Sequence, residues 1–473
     1  MSYKVSTLKK GLVGSWKLNA KLGEELVTNG TFEDSSNWSF GTGWSLVSNA
    51  AYHSGSLSGG YMTQTGLNIN PGSRYLVRLH VDRASTLQFN LGDGTSSSEV
   101  FDAVGFYNVY LVAGSGNTNF WVWEGSGHAV TIDDVSVKEI LPNKYALDLN
   151  STVNWDDRGG SFAYETFSDD DNGEMTFANT TGYGMAWTNS ILTLGKTYKI
   201  EFTTGAGTYS DTQFHVTSDP GTLANAQTRF NIAANTTYTK VLTIETTNGS
   251  TPSKLALRTN NGVTNSGSIT IMSVKEIQTA DSTPQGNNGT VYGATQNAES
   301  MTFDGTNDYV NVEDNNDLRL GTSDFSISTW FNSSTNNDNE GLFVQYVDSN
   351  NLVIFRKSAT KLRLVITTAS TPRLDAITGA NAFSTDSWEH AVYTVDRDGS
   401  QHIYVNGVDL NLETDTQNSD GVDLSLSTPT IIGAENSANY LTGNMKDFRI
   451  YNRALSAEEV ELLYKGGDSN VVI

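Results

Sequence analysis

The residues of this 473-residue chain with the clearest capacity for chemistry are aromatic. In Phe120-Trp121-Val122-Trp123 an extended backbone would send both tryptophans to one face and Phe120 and Val122 to the other. One pair then fills a core and the other lines a groove or an interface. An exposed ring can stack on the apolar C–H side of a pyranose while nearby amides and carboxylates take its hydroxyls. Phe106-Tyr107-Asn108-Val109-Tyr110 raises the same question. Trp38, Trp44, Tyr110, Trp121 and Trp123 are therefore the candidate carbohydrate-binding residues, with core or subunit packing as the alternative role of each. Trp16, Trp330 and Trp388 are assigned to the core.

Carboxylates and carbonyl oxygens, the ligands that calcium takes, are abundant. Ser168-Asp169-Asp170-Asp171-Asn172-Gly173-Glu174 has the composition of a calcium loop without the spacing of an EF-hand, and reads as a solvated acidic turn. Catalysis finds little support. No run has the Glu-x-Asp-x-Glu spacing that would set acid and nucleophile on either side of a glycosidic bond. The six histidines show no paired metal spacing, and no glycine-rich phosphate loop follows a parallel strand. A non-enzymatic protein is expected.

The elements that must position these residues are strands. Charged residues make up only 17%, Gly numbers 44, and Ser, Thr, Asn and Asp separate short apolar runs, which is the make-up of short strands and many turns. The length allows about three domains of ~100–200 residues, each large enough to bury a core. A formal charge of −23 argues against nucleic acid, because phosphate binding needs clustered Lys and Arg, and against anionic membrane. Neutral glycans and divalent cations remain open as partners. With no cysteine, the fold holds by burial and, where bound, by calcium. Met1 to Lys10 lacks the apolar stretch of a secretory signal, and no run approaches ~18 apolar residues, so no membrane insertion is expected.

Val130-Thr131-Ile132-Asp133-Asp134-Val135-Ser136-Val137-Lys138-Glu139-Ile140 and Ser268-Ile269-Thr270-Ile271-Met272-Ser273-Val274-Lys275-Glu276-Ile277 share an ending. Upstream, Pro71-Gly72-Ser73-Arg74-Tyr75-Leu76-Val77 matches Leu194-Gly195-Lys196-Thr197-Tyr198-Lys199-Ile200. These are diverged tandem copies, each with the apolar alternation of an antiparallel sandwich. Further on, Asp324 to Phe331 alternates as a strand, and Gln401 to Val408 is a hairpin around Asn406-Gly407, a pair favoured in type I′ turns. Ser456-Ala457-Glu458-Glu459 is a capping box that opens one short C-terminal helix, which Gly466 can close.

The first copy, opening with Asn29-Gly30-Thr31-Phe32-Glu33 and ending on Ile132-Asp133-Asp134-Val135, resembles a family of carbohydrate-binding-module jelly rolls. That resemblance implies a structural calcium shared by Glu33 with Asp133 or Asp134; the second copy lacks these residues, so no equivalent ion is expected there. Gly11 to Asn19, Asp281 to Ala294, Met301-Thr302-Phe303-Asp304-Gly305-Thr306-Asn307-Asp308-Tyr309-Val310 and Met445 to Ser456 together resemble a laminin-G-like, concanavalin A-like jelly roll. Calcium at a sandwich edge is common in that family, which makes Asp304, Asp308 and Asp447 candidate ligands. The alternative is a turn in which Asp304 bonds its own backbone ahead of Gly305.

The expected fold is all-β: three antiparallel β-sandwich (jelly-roll) domains, two of them inserted in tandem into the first-strand connection of a laminin-G-like domain. The boundaries are 1–22 for the first strand, 23–141 and 142–278 for the inserted sandwiches, and 279–473 for the remainder. Leu12 to Leu18 should then pair with Phe448 to Tyr451. Chains of this modular kind resemble bacteriophage appendage proteins. The expectation is a virion structural or adhesion protein, a phage fibre, spike or capsid decoration, that contacts other virion proteins and a host surface glycan and possesses the edges for homo-oligomer formation. It would be made in the host cytoplasm and located in the virion. The alternative is an extracellular bacterial adhesin or a polysaccharide-binding accessory protein.

Overall fold

In the computed structural model the chain is described at Leu8 and over 10–466, apart from 56–59, 84, 93–96, 102, 115–116, 125–126, 142–143, 149–154, 159–161, 165–173, 180–183, 189, 219–225, 260–264, 350 and 436–438. The acidic run from Ser168 to Gly173 lies outside the described residues. Strands dominate, and the helix over Ala457–Gly466 is joined only by a 3-10 turn at Asn316–Leu318 among the described residues. Both arms of the expected capping box are formed: the Glu459 amide donates to Ser456 Oγ, and the Ser456 amide to Glu459 Oε2. No helix among the described residues is long and apolar enough to cross a membrane.

The opening strand Leu12–Trp16 runs antiparallel to the closing strand Thr442–Tyr451, with Leu12 opposite Tyr451 and Trp16 opposite Phe448. Met301–Asp304 pairs with the other half of that strand, from Met301 opposite Met445 to Asp304 opposite Thr442. The closing strand is thus flanked on one edge by two segments from distant parts of the chain, and by Phe325–Ser333 on the other. Val13, Trp16 and Leu18 belong to the same apolar core as Phe303, Phe343 and Phe448. The apolar face of the opening strand is buried by this core, which holds the long-range pairing in place.

Residues between these segments build two sandwiches with their own cores, one around Phe32, Tyr75, Phe89 and Phe120, the other around Phe202, Phe214 and Ile269. Their sheets match strand for strand. In the first, Gly105–Val112, Arg74–Val81, Ala129–Leu141 and Ala50–Ser54 lie side by side; in the second, Thr237–Thr243, Thr197–Thr204, Asn265–Thr279 and Glu174–Asn179 repeat the order. The facing sheets also agree: Tyr61–Gln64, Phe120–Glu124, Ser85–Leu91 and Ser97–Phe101 against Gly184–Thr188, Lys254–Thr259, Thr212–Thr217 and Ala226–Asn231. The tandem repeat read from the two endings is a repeat of topology. Asn265–Thr279, at 15 residues, outlasts its own sandwich. Its end pairs with Gly289–Tyr292, so the second sandwich and the following jelly roll share one sheet.

Candidate functional site

Phe120–Glu124 is the middle strand of a five-stranded sheet. Phe120, Val122 and Glu124 are wholly buried beneath it, while Trp121 and Trp123 stand half-exposed on the outer face. The strand register brings Thr63 and Asn90 to either side of Trp121, and Tyr61 and Gln88 to either side of Trp123. The Tyr61 and Trp121 rings lie 6.0 Å apart at 40°. From the end of the strand come Asn117 and Asn119, joined by a 2.8 Å hydrogen bond from the Asn119 amide to Asn117 Oδ1.

Together Tyr61, Thr63, Gln88, Asn117, Asn119, Trp121 and Trp123 line a groove of about 520 Å³. That volume lies within the ~300–1,000 Å³ typical of small-molecule sites. Among the described residues the lining holds rings, carboxamides and hydroxyls and no charged group. Rings offer stacking faces, and each carboxamide both donates and accepts, which suits the paired donor and acceptor character of sugar hydroxyls. Sequence singled out the two tryptophans but missed Tyr61, Thr63, Gln88, Asn117 and Asn119. These five are polar or isolated in sequence, and only strand register assembles them.

The other candidate rings are elsewhere. Trp38 and Trp44 are each 6% exposed and belong to the first sandwich's core. Trp38 packs on Phe32 and Phe120 and donates its indole N–H to the Asn29 carbonyl; Trp44 packs on His53 and donates to the Gly60 carbonyl. With faces covered and N–H groups satisfied, neither can receive a sugar. Tyr110 is exposed, but it lies on the opposite sheet beneath the Arg74 guanidinium, away from the groove. Trp16 is core as expected, whereas Trp330 and Trp388 are only partly buried, sharing the Lys446 ammonium. Trp330 stacks under Tyr464 of the C-terminal helix, so its cover is that helix.

Among the described residues, the one group of three whose ligand atoms lie within 4.8 Å is Asp324, Asp396 and Asp398, which sequence did not single out. Glu33 is exposed, and Asp133 Oδ1 accepts the neighbouring Asp134 amide. The opening motif does meet the last strand, but through backbone: the Val135 amide donates to the Gly30 carbonyl at 2.9 Å. In the jelly roll, Asp304 Oδ1 accepts the Thr306 and Asn307 amides, the turn foreseen as the alternative. Asp308 is buried and accepts the Asp304 amide, and burial, followed by the Asp304 charge, pushes its pKa up to about 6. Asp447 faces Arg449 at 3.6 Å on the closing strand. Among the described residues, neither Glu33 with Asp133 or Asp134, nor Asp304 with Asp308 and Asp447, forms such a group of three.

One buried polar pair has the composition of a nucleophile and its base but not the access. Ser328 Oγ lies 3.0 Å from His390 Nε2, but both residues are buried, and burial holds His390 down at about 3. A nucleophile so enclosed meets no substrate.

Residues 304–461 match the family model Laminin_G_3, described as the concanavalin A-like lectin/glucanases superfamily. The match covers the jelly roll and neither sandwich that precedes it. Searches of solved structures align the chain with the binding domain of botulinum neurotoxin serotype D at 19% identity and a TM-score of 0.33, over 40% of this chain and 48% of that one. The binding domain of Paraclostridial Mosquitocidal Protein 1 aligns at 21% identity and 0.34, over 41% and 50%. The serotype D ligand binding domain in complex with N-acetylneuraminic acid aligns at 17% and 0.32, over 40% and 48%. The chain spans about half the length of these structures. No curated protein matches it. Likeness at these scores leaves function to be argued from the site.

Proposed function

We propose that this chain is a non-enzymatic adhesion protein that binds a neutral glycan in the groove of the first sandwich. The observation that carries the reading is the pairing of two half-exposed tryptophans with a ring of uncharged donors and acceptors. Among the described residues no carboxylate lines the groove, so a bound glycosidic bond would meet neither a general acid nor a nucleophile from them. The charge of −23 further disfavours acidic sugars. In the second sandwich the equivalent strand carries Lys254, Ala256 and Arg258 on the corresponding face, and the ring there, Trp187, comes from the neighbouring strand opposite Ala256, beside two cations in place of the uncharged lining of the first copy.

Glycan-array screening of the full chain, followed by calorimetry with Trp121→Ala and Trp123→Ala, tests the reading. The expected result is binding to uncharged oligosaccharides that either substitution abolishes. Uniform silence across neutral glycans, or binding indifferent to both substitutions, overturns it.

The setting we propose is a virion, where the chain serves as an appendage or decoration component in contact with other virion proteins; a secreted bacterial adhesin is the alternative. The modular, lectin-like organisation supports both. Immunogold labelling of particles against cell-envelope fractions separates them.

A further inference from the structure

The first sandwich leaves one edge open. Gly105–Val112 pairs along all 8 of its residues with Arg74–Val81 and has no strand on its other side among the described residues. A row of backbone N–H and C=O groups therefore points away from the sheet, and such an edge is a template for another strand. Natural edges are usually protected by charge, proline or a bulge. This one has none: from Ala103 to Val112 there is no charged residue and no proline, and the pairing with Arg74–Val81 is regular throughout. Its outer face is apolar as well. Phe106 is 73% exposed, Val112 50% and Tyr110 39%, and Val104, just before the strand, is 64% exposed.

The second sandwich shows the same edge managed. There Thr237–Thr243 carries Lys240 at its centre, and the turn at Gly72 covers it so closely that a Cβ on Gly72 would come within 2.4 Å of the Thr239 carbonyl oxygen.

We infer that Gly105–Val112 is the contact by which two copies of this chain associate, edge to edge and antiparallel about Asn108. The strand is complementary to itself in that register. Phe106 of each copy faces Tyr110 of the other and Val104 faces Val112, so ring meets ring and methyl meets methyl, the cross-strand pairs that stabilise sheets. A two-fold axis makes both halves of the contact equivalent, as a closed dimer requires. Charge also agrees. Arg78 leans over the strand to Asn108 and pairs with Glu299, so the flank at the axis is a neutral ion pair and not a bare charge facing its own copy. Elsewhere two chains of charge −23 repel, so this uncharged strand with its balanced flank is where approach costs least.

Sedimentation equilibrium of the full chain tests the inference at rising salt. The expected result is a monomer–dimer equilibrium that tightens as salt screens the net repulsion. Phe106→Lys with Tyr110→Lys sets like charges opposite each other and weakens association by more than about tenfold, at unchanged thermal unfolding and unchanged glycan binding. Phe106→Lys with Tyr110→Glu sets opposite charges face to face only in the Asn108-centred register, and restores the dimer. A wild-type chain monomeric at every salt, or a dimer indifferent to the double lysine variant, overturns the contact. Failure of the lysine–glutamate variant to recover association overturns the register.

Discussion

The Ser15 amide donates a 3.0 Å hydrogen bond to Oδ1 of Asp281 across 266 residues of sequence. The Asp281 carboxylate also accepts the Thr283 amide and hydroxyl and the Asn287 amide, and the Trp16 indole donates to the Asn287 carbonyl at 2.8 Å. The chain thus leaves the jelly roll and returns to it at one clasp. Long insertions are tolerated when their ends are neighbours, because the closure entropy rises only slowly with loop length.

Asp281→Ala is expected to destabilise the jelly roll by about 3 kcal/mol, because it strands several buried donors around a vacated acceptor. Chemical denaturation followed by hydrogen exchange at the Ser15 and Asn287 amides measures it. A loss below about 0.5 kcal/mol would mean that the clasp is incidental.

Trp38→Ala and Trp121→Ala should separate stability from binding. The first empties a packed core and is expected to cost about 3–5 kcal/mol. The second removes a half-exposed ring, leaves the melting temperature near that of wild type, and abolishes glycan binding. Equal thermal losses from both would contradict the assignment of faces along Phe120–Glu124.

Acid should weaken the fold through two histidines. Burial, then Arg258 and Arg229, holds His215 down at about 4, and burial, then Arg449, holds His390 at about 3. Both folded values lie below the unfolded value of ~6.5, so the unfolded chain takes up protons first as pH falls. Stability is full above ~6.5 and declines toward pH 4 and below, by up to roughly 1.4 kcal/mol per pH unit for each histidine. His215→Gln with His390→Gln should flatten that decline in urea titrations run from pH 7 to 4.

Asp308 has the opposite sign. Its folded value, raised to about 6, exceeds the ordinary carboxylate value, so its contribution is greatest at low pH and is lost as pH rises from ~4 to 6. Asp308→Asn keeps an acceptor for the Asp304 amide without the buried charge, and is expected to gain about 1–2 kcal/mol at pH 7 and little at pH 4. A variant no more stable than wild type at pH 7 would refute this.

Gly30→Ala should loosen the first sandwich, because a Cβ there would fall 1.9 Å from the Val135 carbonyl oxygen. The backbone link between the opening motif and the last strand would have to part, at a cost of about 1–3 kcal/mol. Hydrogen exchange at the Val135 amide reports it directly.

The sequence by itself determined much of this protein. Alternation placed Trp121 and Trp123 on one face, the shared endings announced two copies of one topology, and the resemblance of the two ends to a laminin-G-like jelly roll called for pairing between them. The first follows from the period-two geometry of a strand, which is local; the other two rest on matching motifs. What the sequence left open was which face is inside. Trp38 and Trp44 have the same chemistry as Trp121, yet packing against Phe32, Phe120 and His53 buries them, and that depends on how two sheets stack. The same applies to Tyr61, Thr63, Gln88, Asn117 and Asn119, which become neighbours of Trp121 and Trp123 only through inter-strand register, and to Asp324, Asp396 and Asp398, whose carboxylates the fold brings within 4.8 Å of one another. A strand dictates the direction of its own side chains, but convergence between strands is set by hydrogen-bond register and layer stacking, and these exist only once the chain is folded.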